Sequence, residues 1–260
     1  MLAILQARCS SSRLPGKVLK PILGEPMIAR HIERLRRSQR ISRLLVATSS
    51  ETSDDPLAKL CGDLNVACFR GALDDVLDRF YQAAKTFPSE HLLRLTGDCP
   101  LADPELIDDC IDFHLAGSYD YTSNALQASF PDGLDVEVFR FKCLEEAWQE
   151  ARLPSEREHV TPFIHCRPER YRIGHYRQER DLSWLRWTVD RAEDFQLVEA
   201  IYKALYPGNP AFTTADVLAL LARRPELASI NADLTRNEGY LKSLVADQQF
   251  IASQATTHQG

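Results

Sequence analysis

Three cations and three hydroxyls crowd one short stretch near the start of the chain: Arg8, Arg13 and Lys17, with Ser10, Ser11 and Ser12 among them. The apolar run Leu2 to Leu5 has strand character and empties through Ala7 into this stretch, and Met27 to Leu35 beyond it reads as a helix. A strand-to-loop-to-helix unit rich in cations and hydrogen-bond donors suits a polyphosphate, which has to be neutralised from several directions at once. The competing reading is an ordinary solvated basic loop.

Carboxylates stand at the ends of two other apolar runs. Asp98 follows His91 to Leu95 within Thr96-Gly97-Asp98-Cys99-Pro100-Leu101, and Asp190 follows Trp184 to Val189. A carboxylate at a strand tip is well placed for a divalent cation riding on phosphates, because magnesium takes few protein carboxylates alongside phosphate oxygens and water. Asp98 could instead simply cap a turn. For Glu193 and Asp194, the better reading is helix-opening acids stabilised by the dipole. Asp135 and Glu137 alternate with apolar neighbours in Leu134 to Phe139, so both project from one strand face. They could meet substrate hydroxyl or amino groups or do acid/base work, or they could serve solubility on an exposed edge. His159 and Thr161 add an imidazole and a hydroxyl near a helix start, with structural packing as the alternative for His159.

The elements that must position these groups alternate. Leu44 to Thr48 reads as a strand buried on both faces, Asp54-Asp55-Pro56 opens a helix to about Leu64, and Asn65 to Phe69 is a short strand. Helices follow at Leu73 to Lys85 and Pro104 to Leu115, on either side of the strand at His91 to Leu95. This rhythm predicts a three-layer α/β fold with a largely parallel sheet, whose ligands bind beyond the carboxyl ends of the strands. Later come a strand at Val136 to Phe139 and helices at Lys142 to Ala151 and His159 to His165. Strands at Tyr171 to Tyr176 and Trp184 to Val189 precede a helix at Phe195 to Leu205, and helical pieces near Ala215 to Leu221 and Glu238 to Val245 close the chain. Residues 1–250 read as one domain carrying an inserted segment at about 133–175, and the polar stretch 251–260 as a frayed tail.

With 260 residues, 44% hydrophobic and 26% charged, the composition is that of a globular protein. A net charge of −6 argues against broad nucleic-acid or membrane-surface binding, so the local cations point to a small anionic ligand. Seven cysteines without a C-x-x-C pair fit free thiols in a reducing cytoplasm better than a zinc site or a disulfide framework. No apolar run approaches a membrane span, and the opening residues read as a strand rather than a targeting peptide. The chain lacks G-x-S-x-G, G-x-G-x-x-G and the Walker loop, which disfavours hydrolase, dehydrogenase and P-loop readings.

Taken together, the motifs resemble those of the cytidylyltransferases that activate acidic sugars, including the CMP-octulosonate and CMP-sialate synthetases. Ala7-Arg8-x-x-Ser11-x-Arg13-Leu14-Pro15-x-Lys17 looks like their nucleotide-binding loop. The set in order is most similar to the spore coat polysaccharide biosynthesis protein F branch: Arg70-Gly71, Asp75 to Phe80, Gly97 to Leu101, Gly133 to Val138, Glu158 to Pro162, Arg186 to Asp190 and Asn237 to Tyr240. The middle of the chain departs from the octulosonate enzymes, so the acceptor transfers least well.

The resemblance implies a Rossmann-like (GT-A-like) nucleotide-diphospho-sugar transferase fold, CTP and magnesium (Mg2+), and a homodimer formed through the inserted segment. It implies that Ala7, Arg8, Ser11, Arg13, Lys17, Arg79, Thr96 and Asp98 lie about the nucleotide and that Asp98 and Asp190 are the metal ligands. Arg8 and Lys17 join those two carboxylates in the chemistry. Asp135, Glu137, His159 and Thr161 would then shape the pocket of an acidic sugar, for surface polysaccharide or glycoconjugate synthesis. Two other readings compete: a nucleotidyltransferase with another nucleotide or a sugar-phosphate or phosphonate acceptor, and a non-catalytic, glycosyltransferase-like nucleotide-sugar-binding protein.

Overall fold

The computed structural model describes residues 1–236 and 238–257. Its centre is a seven-stranded sheet in the order β5-β4-β1-β6-β8-β7-β9. The strands are β1 (Leu2–Gln6), β4 (Arg43–Ser49), β5 (Ala67–Gly71), β6 (His91–Thr96), β7 (Tyr121–Ser123), β8 (Glu137–Arg140) and β9 (Ile173–His175). β1 lies between β4 and β6 and parallel to both, and its Leu2 to Leu5 run is fully buried, as expected of a strand covered on both faces. β8 runs antiparallel to β6 and β7, which makes the sheet mixed but mostly parallel. The small hairpin of β2 (Pro21–Ile22) and β3 (Glu25–Pro26), along with β7, goes beyond the strands read from sequence.

Helices cover both faces. α1 (Met27–Leu35), α2 (Asp55–Asp63), α3 (Val76–Thr86) and α4 (Pro104–Ala116) follow successive strands, as the alternating pattern predicts. Asp75 caps α3 by accepting from the Asp78 amide, and Asp103 caps α4 by accepting from the Glu105 amide. One core, holding Leu5, Ile28, Leu95 and Ile201, lies on one face; the other joins Ile4, Phe80, Phe139, Leu144 and Phe163. Segment 133–175 contributes α5 (Phe141–Glu150), α6 (Pro154–His159) and α7 (Pro162–His165); the buried apolar residues of α5 and α7 belong to that second core, while Leu134, Val136 and Val138 belong to the first.

Three expectations are corrected. The single helix over His159 to His165 is two short helices, α6 and α7, broken at Val160, whose φ is 72°, just before Pro162 opens α7. Trp184 to Val189 is no sheet strand: Trp184 lies in a turn, Arg186 makes one isolated bridge to Asp132, and the amides of Trp187 and Thr188 donate to the Asp132 carbonyl and that of Val189 to the Asp98 carbonyl. The end of the chain is no frayed tail as far as it is described. After α8 (Ala192–Leu205), α9 (Thr214–Arg223) and α10 (Pro225–Ala228), α11 runs from Glu238 to Thr257. Residues 258–260, and Asn237 of the last motif, lie outside the described residues.

Candidate active site

The C-terminal ends of the parallel strands gather the cationic loop and both carboxylates. The loop after β1 is held from within and from below: the Gly16 amide donates to the Cys9 carbonyl (2.8 Å), and the Cys9 amide to Asp54 Oδ1 (2.6 Å). The loop then turns into a short 3-10 helix at Lys17–Leu19. At the end of β6, the Gly97 amide donates to the Gln6 carbonyl, and a Cβ at Gly97 would stand 2.8 Å from that of Ala7. Glycine is what lets the two strand ends close up. Gly133, at φ 105°, plays the same part lower down, where a Cβ would strike the Thr188 backbone at 2.4 Å. That close approach brings the 184–190 segment alongside Asp98.

The outcome is a compact charge cluster. The Lys17 ammonium donates to Asp190 Oδ1 (2.9 Å), Asp98 Oδ2 (3.1 Å) and the Val189 carbonyl (2.7 Å). Arg13 reaches the same Asp190 oxygen at 2.6 Å. Burial pushes the Lys17 ammonium toward losing its proton, but Asp98 and Asp190 more than offset this and raise its pKa. Burial likewise works against the Asp98 carboxylate, and Lys17 beside it, with the Thr96 hydroxyl, holds its pKa below the ordinary value. Lys17 and Asp98 therefore both stay charged at neutral pH. Beneath them Arg186 donates to Asp194 (2.9 and 3.0 Å), Asp132 (3.0 Å) and Asp190 Oδ2 (3.4 Å), which fixes Asp190 from behind. Asp194 is thus more than a helix-opening acid: it accepts from the Asp190 and Arg191 amides and is fully buried.

A cleft of about 460 Å³ opens above this cluster, lined by Ala7, Arg8, Ser11, Arg13, Lys17, Thr96, Asp98 and Asp190, all expected there from the sequence. Arg79 is the exception. It is buried, lies outside the lining, and donates to the Ala72 and Leu73 carbonyls at 2.5 and 3.1 Å, so it props the 72–73 turn from inside. Burial, then repulsion from Arg8, brings its pKa down to about 10. Among the described residues Arg8 itself has no hydrogen-bond or ion-pair partner, although it lines the cleft. Its removal leaves no buried charge uncompensated. Arg8→Ala is therefore expected to weaken CTP binding roughly 10- to 100-fold in calorimetry, the worth of charge-assisted hydrogen bonds, with an unchanged melting temperature.

A second cavity of about 360 Å³ adjoins the cleft and shares Arg94, Thr96 and His159 with it. Asp135, Glu137, His159 and Thr161 all line this cavity, together with Tyr121, His165 and Tyr240. β8 is an inner strand, so Glu137 is no edge solubility residue, and antiparallel pairing sets Arg94 opposite it; Asp135 lies just before the strand. Glu137 is fully engaged: it pairs with Arg94 and accepts from Tyr121 (2.6 Å) and Thr161 (2.5 Å). Burial opposes its charge, but Arg94 and those hydroxyls win and lower its pKa. His159 bonds Ser243 of α11 (2.8 Å), and burial lowers its pKa, so the imidazole is neutral at pH 7. The sequence reading passed over Arg94, although a lone cation inside the apolar strand His91–Thr96 was a signal that it faces something acidic. It also passed over Glu158, Lys242 and Ser243, which line the cleft from α6 and α11.

Asp135 behaves differently from Glu137. Burial, with Asp132, Glu137 and Asp98 adding to it, outweighs the Arg236 guanidinium at 2.9 Å and pushes its pKa up to about 7. This cavity therefore changes charge near neutrality. The pH profile of kcat/KM for the acceptor is expected to show an inflection near pH 7 that Asp135→Asn abolishes. An inflection that survives the substitution would assign it elsewhere.

The fold has counterparts among known proteins. A cytidylyltransferase family model matches residues 2–208. The chain belongs to the cytidylyltransferase family. An uncharacterized protein of Methanocaldococcus jannaschii is 34% identical, over 92% of this chain and 97% of its own. The spore coat polysaccharide biosynthesis protein SpsF of Bacillus subtilis is 32% identical, over 88% of this chain and 97% of its own. A solved cytidylyltransferase from Leptospira borgpetersenii serovar Hardjo-bovis superposes with a TM-score of 0.83 at 32% identity, covering 90% of this chain and 97% of that one. The protein is thus a nucleotidyltransferase of the cytidylyltransferase type with a nucleotide-diphospho-sugar transferase fold.

The donor set of this cytidylyltransferase suits a magnesium ion borne on a nucleotide. Asp98 and Asp190 converge on one ammonium, and no cluster of three or more His, Cys, Asp or Glu side chains that could hold a metal by itself occurs among the described residues. Magnesium needs no all-protein cage, since phosphate oxygens and water complete its shell.

Proposed function

We propose that the protein transfers the cytidylyl group of CTP to an acidic sugar of the nonulosonic type, giving CMP-sugar and pyrophosphate. One observation carries the reading: the cationic cleft and the cavity of acids and hydroxyls adjoin at Arg94, Thr96 and His159, so two substrates can meet there. In this reading Arg8, Arg13 and Lys17 bind the triphosphate and stabilise the charge that gathers on departing pyrophosphate. The acceptor lies against Asp135, His159 and Tyr240, with its hydroxyl presented to the α-phosphorus for in-line displacement. Such a displacement asks for positioning and charge neutralisation more than covalent help. Asp98 and Asp190 would hold magnesium, which when bound neutralises phosphate charge and lowers the pKa of a coordinated hydroxyl.

The likeness to the spore coat polysaccharide protein of Bacillus subtilis supports a role in surface polysaccharide or glycoconjugate synthesis. In this reading the protein works as a cytoplasmic homodimer. No helix among the described residues is long and apolar enough to cross a membrane. The test is incubation with CTP, magnesium and a panel of nonulosonic and octulosonic acids, with products weighed by mass spectrometry. A CMP adduct formed together with pyrophosphate is expected. Release of pyrophosphate only with another nucleotide, or only with a sugar phosphate, would replace this reading.

A further inference from the structure

The second cavity poses an electrostatic problem for an acidic acceptor. Its guanidinium, Arg94, is already spent on Glu137, and Arg236 behind it is spent on Asp135. A carboxylate pushed in among these groups would face two acids with no free cation to meet it. In the adjoining cleft Lys17 and Arg13 are tied to Asp98 and Asp190. Two cleft-lining cations form no ion pair within 4 Å among the described residues: Arg8, on the nucleotide loop, and Lys242, on α11, whose charge is felt by Glu238 one turn before it.

Lys242 lines the cleft together with Glu158, His159 and Ser243, the side on which the second cavity adjoins it. Its neighbour Ser243 donates to Glu158 (2.6 Å) and bonds His159 (2.8 Å), and His159 is a residue shared by both cavities. α11 is held firmly at this junction, because Asp247 accepts from the Ser155 amide and hydroxyl (2.8 and 2.6 Å) and the Tyr240 ring meets the His159 ring edge-on at 5.2 Å. The helix lies beyond residues 2–208, the stretch that the family model matches.

We propose that Lys242 takes the carboxylate of the acceptor at the junction of the two cavities, leaving the hydroxyl- and amide-bearing arm to the pocket around Asp135, His159 and His165. Lys242 is then a specificity residue that distinguishes acidic from neutral sugars. This rests on the acidic-acceptor reading above.

The test compares wild type, Lys242→Ala and Lys242→Arg with CTP, magnesium and two probes, N-acetylneuraminate and 3-deoxy-manno-octulosonate. Where wild type makes the CMP adduct, Lys242→Ala is expected to raise the acceptor KM about tenfold or more, the loss of one charge-assisted hydrogen bond, with the KM for CTP within about twofold. Lys242→Arg should recover most of the loss. An unchanged acceptor KM, or an equal rise in both KM values, would overturn the role of Lys242 while leaving the acidic-acceptor reading intact. Failure of wild type to form an adduct with either acid would overturn this role together with the acidic-acceptor reading on which it rests.

Discussion

Asp98→Asn is expected to lower kcat by about 10³-fold, equivalent to losing several kcal/mol of charge stabilisation in the transition state, while leaving the fold intact. The substitution keeps the shape of the side chain and removes only its charge. Lys17 remains anchored by Asp190 Oδ1 and the Val189 carbonyl, so no buried cation is stranded. What disappears is one of the two carboxylates that line the cleft beside Lys17. The melting temperature should therefore stay close to wild type at neutral pH. Pyrophosphate release at the wild-type rate would remove Asp98 from the mechanism. The corresponding loss at Lys17 would be harder to interpret, because Lys17→Ala leaves Asp98 and Asp190 facing one another without their shared cation.

The largest stability effect is expected at Arg186. Its guanidinium binds Asp194, Asp132 and Asp190, and it is itself buried. Arg186→Met preserves the length of the side chain but leaves three carboxylates in a dry site, at a cost of about 3–5 kcal/mol, the usual penalty for breaking a buried ion pair from one side. The pH dependence follows from the signs. In the wild type, burial opposes the Asp194 charge, but Arg186 and Asn231 hold its pKa below the ordinary value. Asp194 therefore contributes stability that is present above its unfolded pKa and is lost as pH falls through the folded value. Without Arg186, the burial that already opposes the Asp194 charge is no longer offset by that guanidinium, so the Asp194 pKa rises and stability falls as pH rises. Denaturant melts should show a larger deficit at pH 8 than at pH 5. An equal deficit at both would mean that Arg186 acts through packing alone. Activity should fall as well, since Asp190 loses the group that holds it from behind.

Much of this site was legible because its chemistry is local. The loop from Ala7 to Lys17 announces itself through six cations and hydroxyls after an apolar strand, and Asp98 and Asp190 through their places after apolar runs. Asp135, Glu137, His159 and Thr161 do gather in one cavity. What sequence alone could not show is how polar groups find one another over long separations. Arg94 and Glu137 meet through antiparallel pairing, whose register no local pattern displays.

Arg186 reads as a strand residue until Asp132 and Asp194 are seen around it. Trp184 to Val189 has strand composition, yet two carbonyls outside any strand satisfy its amides, and composition cannot tell these arrangements apart. Arg79 illustrates the reverse error, since a cation beside a nucleotide motif reads as a ligand although its donors serve the carbonyls of Ala72 and Leu73. The polar residues toward the end of α11 resemble a frayed tail, but its earlier turns are docked through Ser243 and Asp247.

A structure determined with CTP bound tests the central claim most directly. The account predicts the triphosphate among Arg8, Arg13 and Lys17, with the α-phosphorus turned toward the junction of Arg94, Thr96 and His159. A triphosphate seated elsewhere, or an α-phosphorus turned away from that junction, would contradict it.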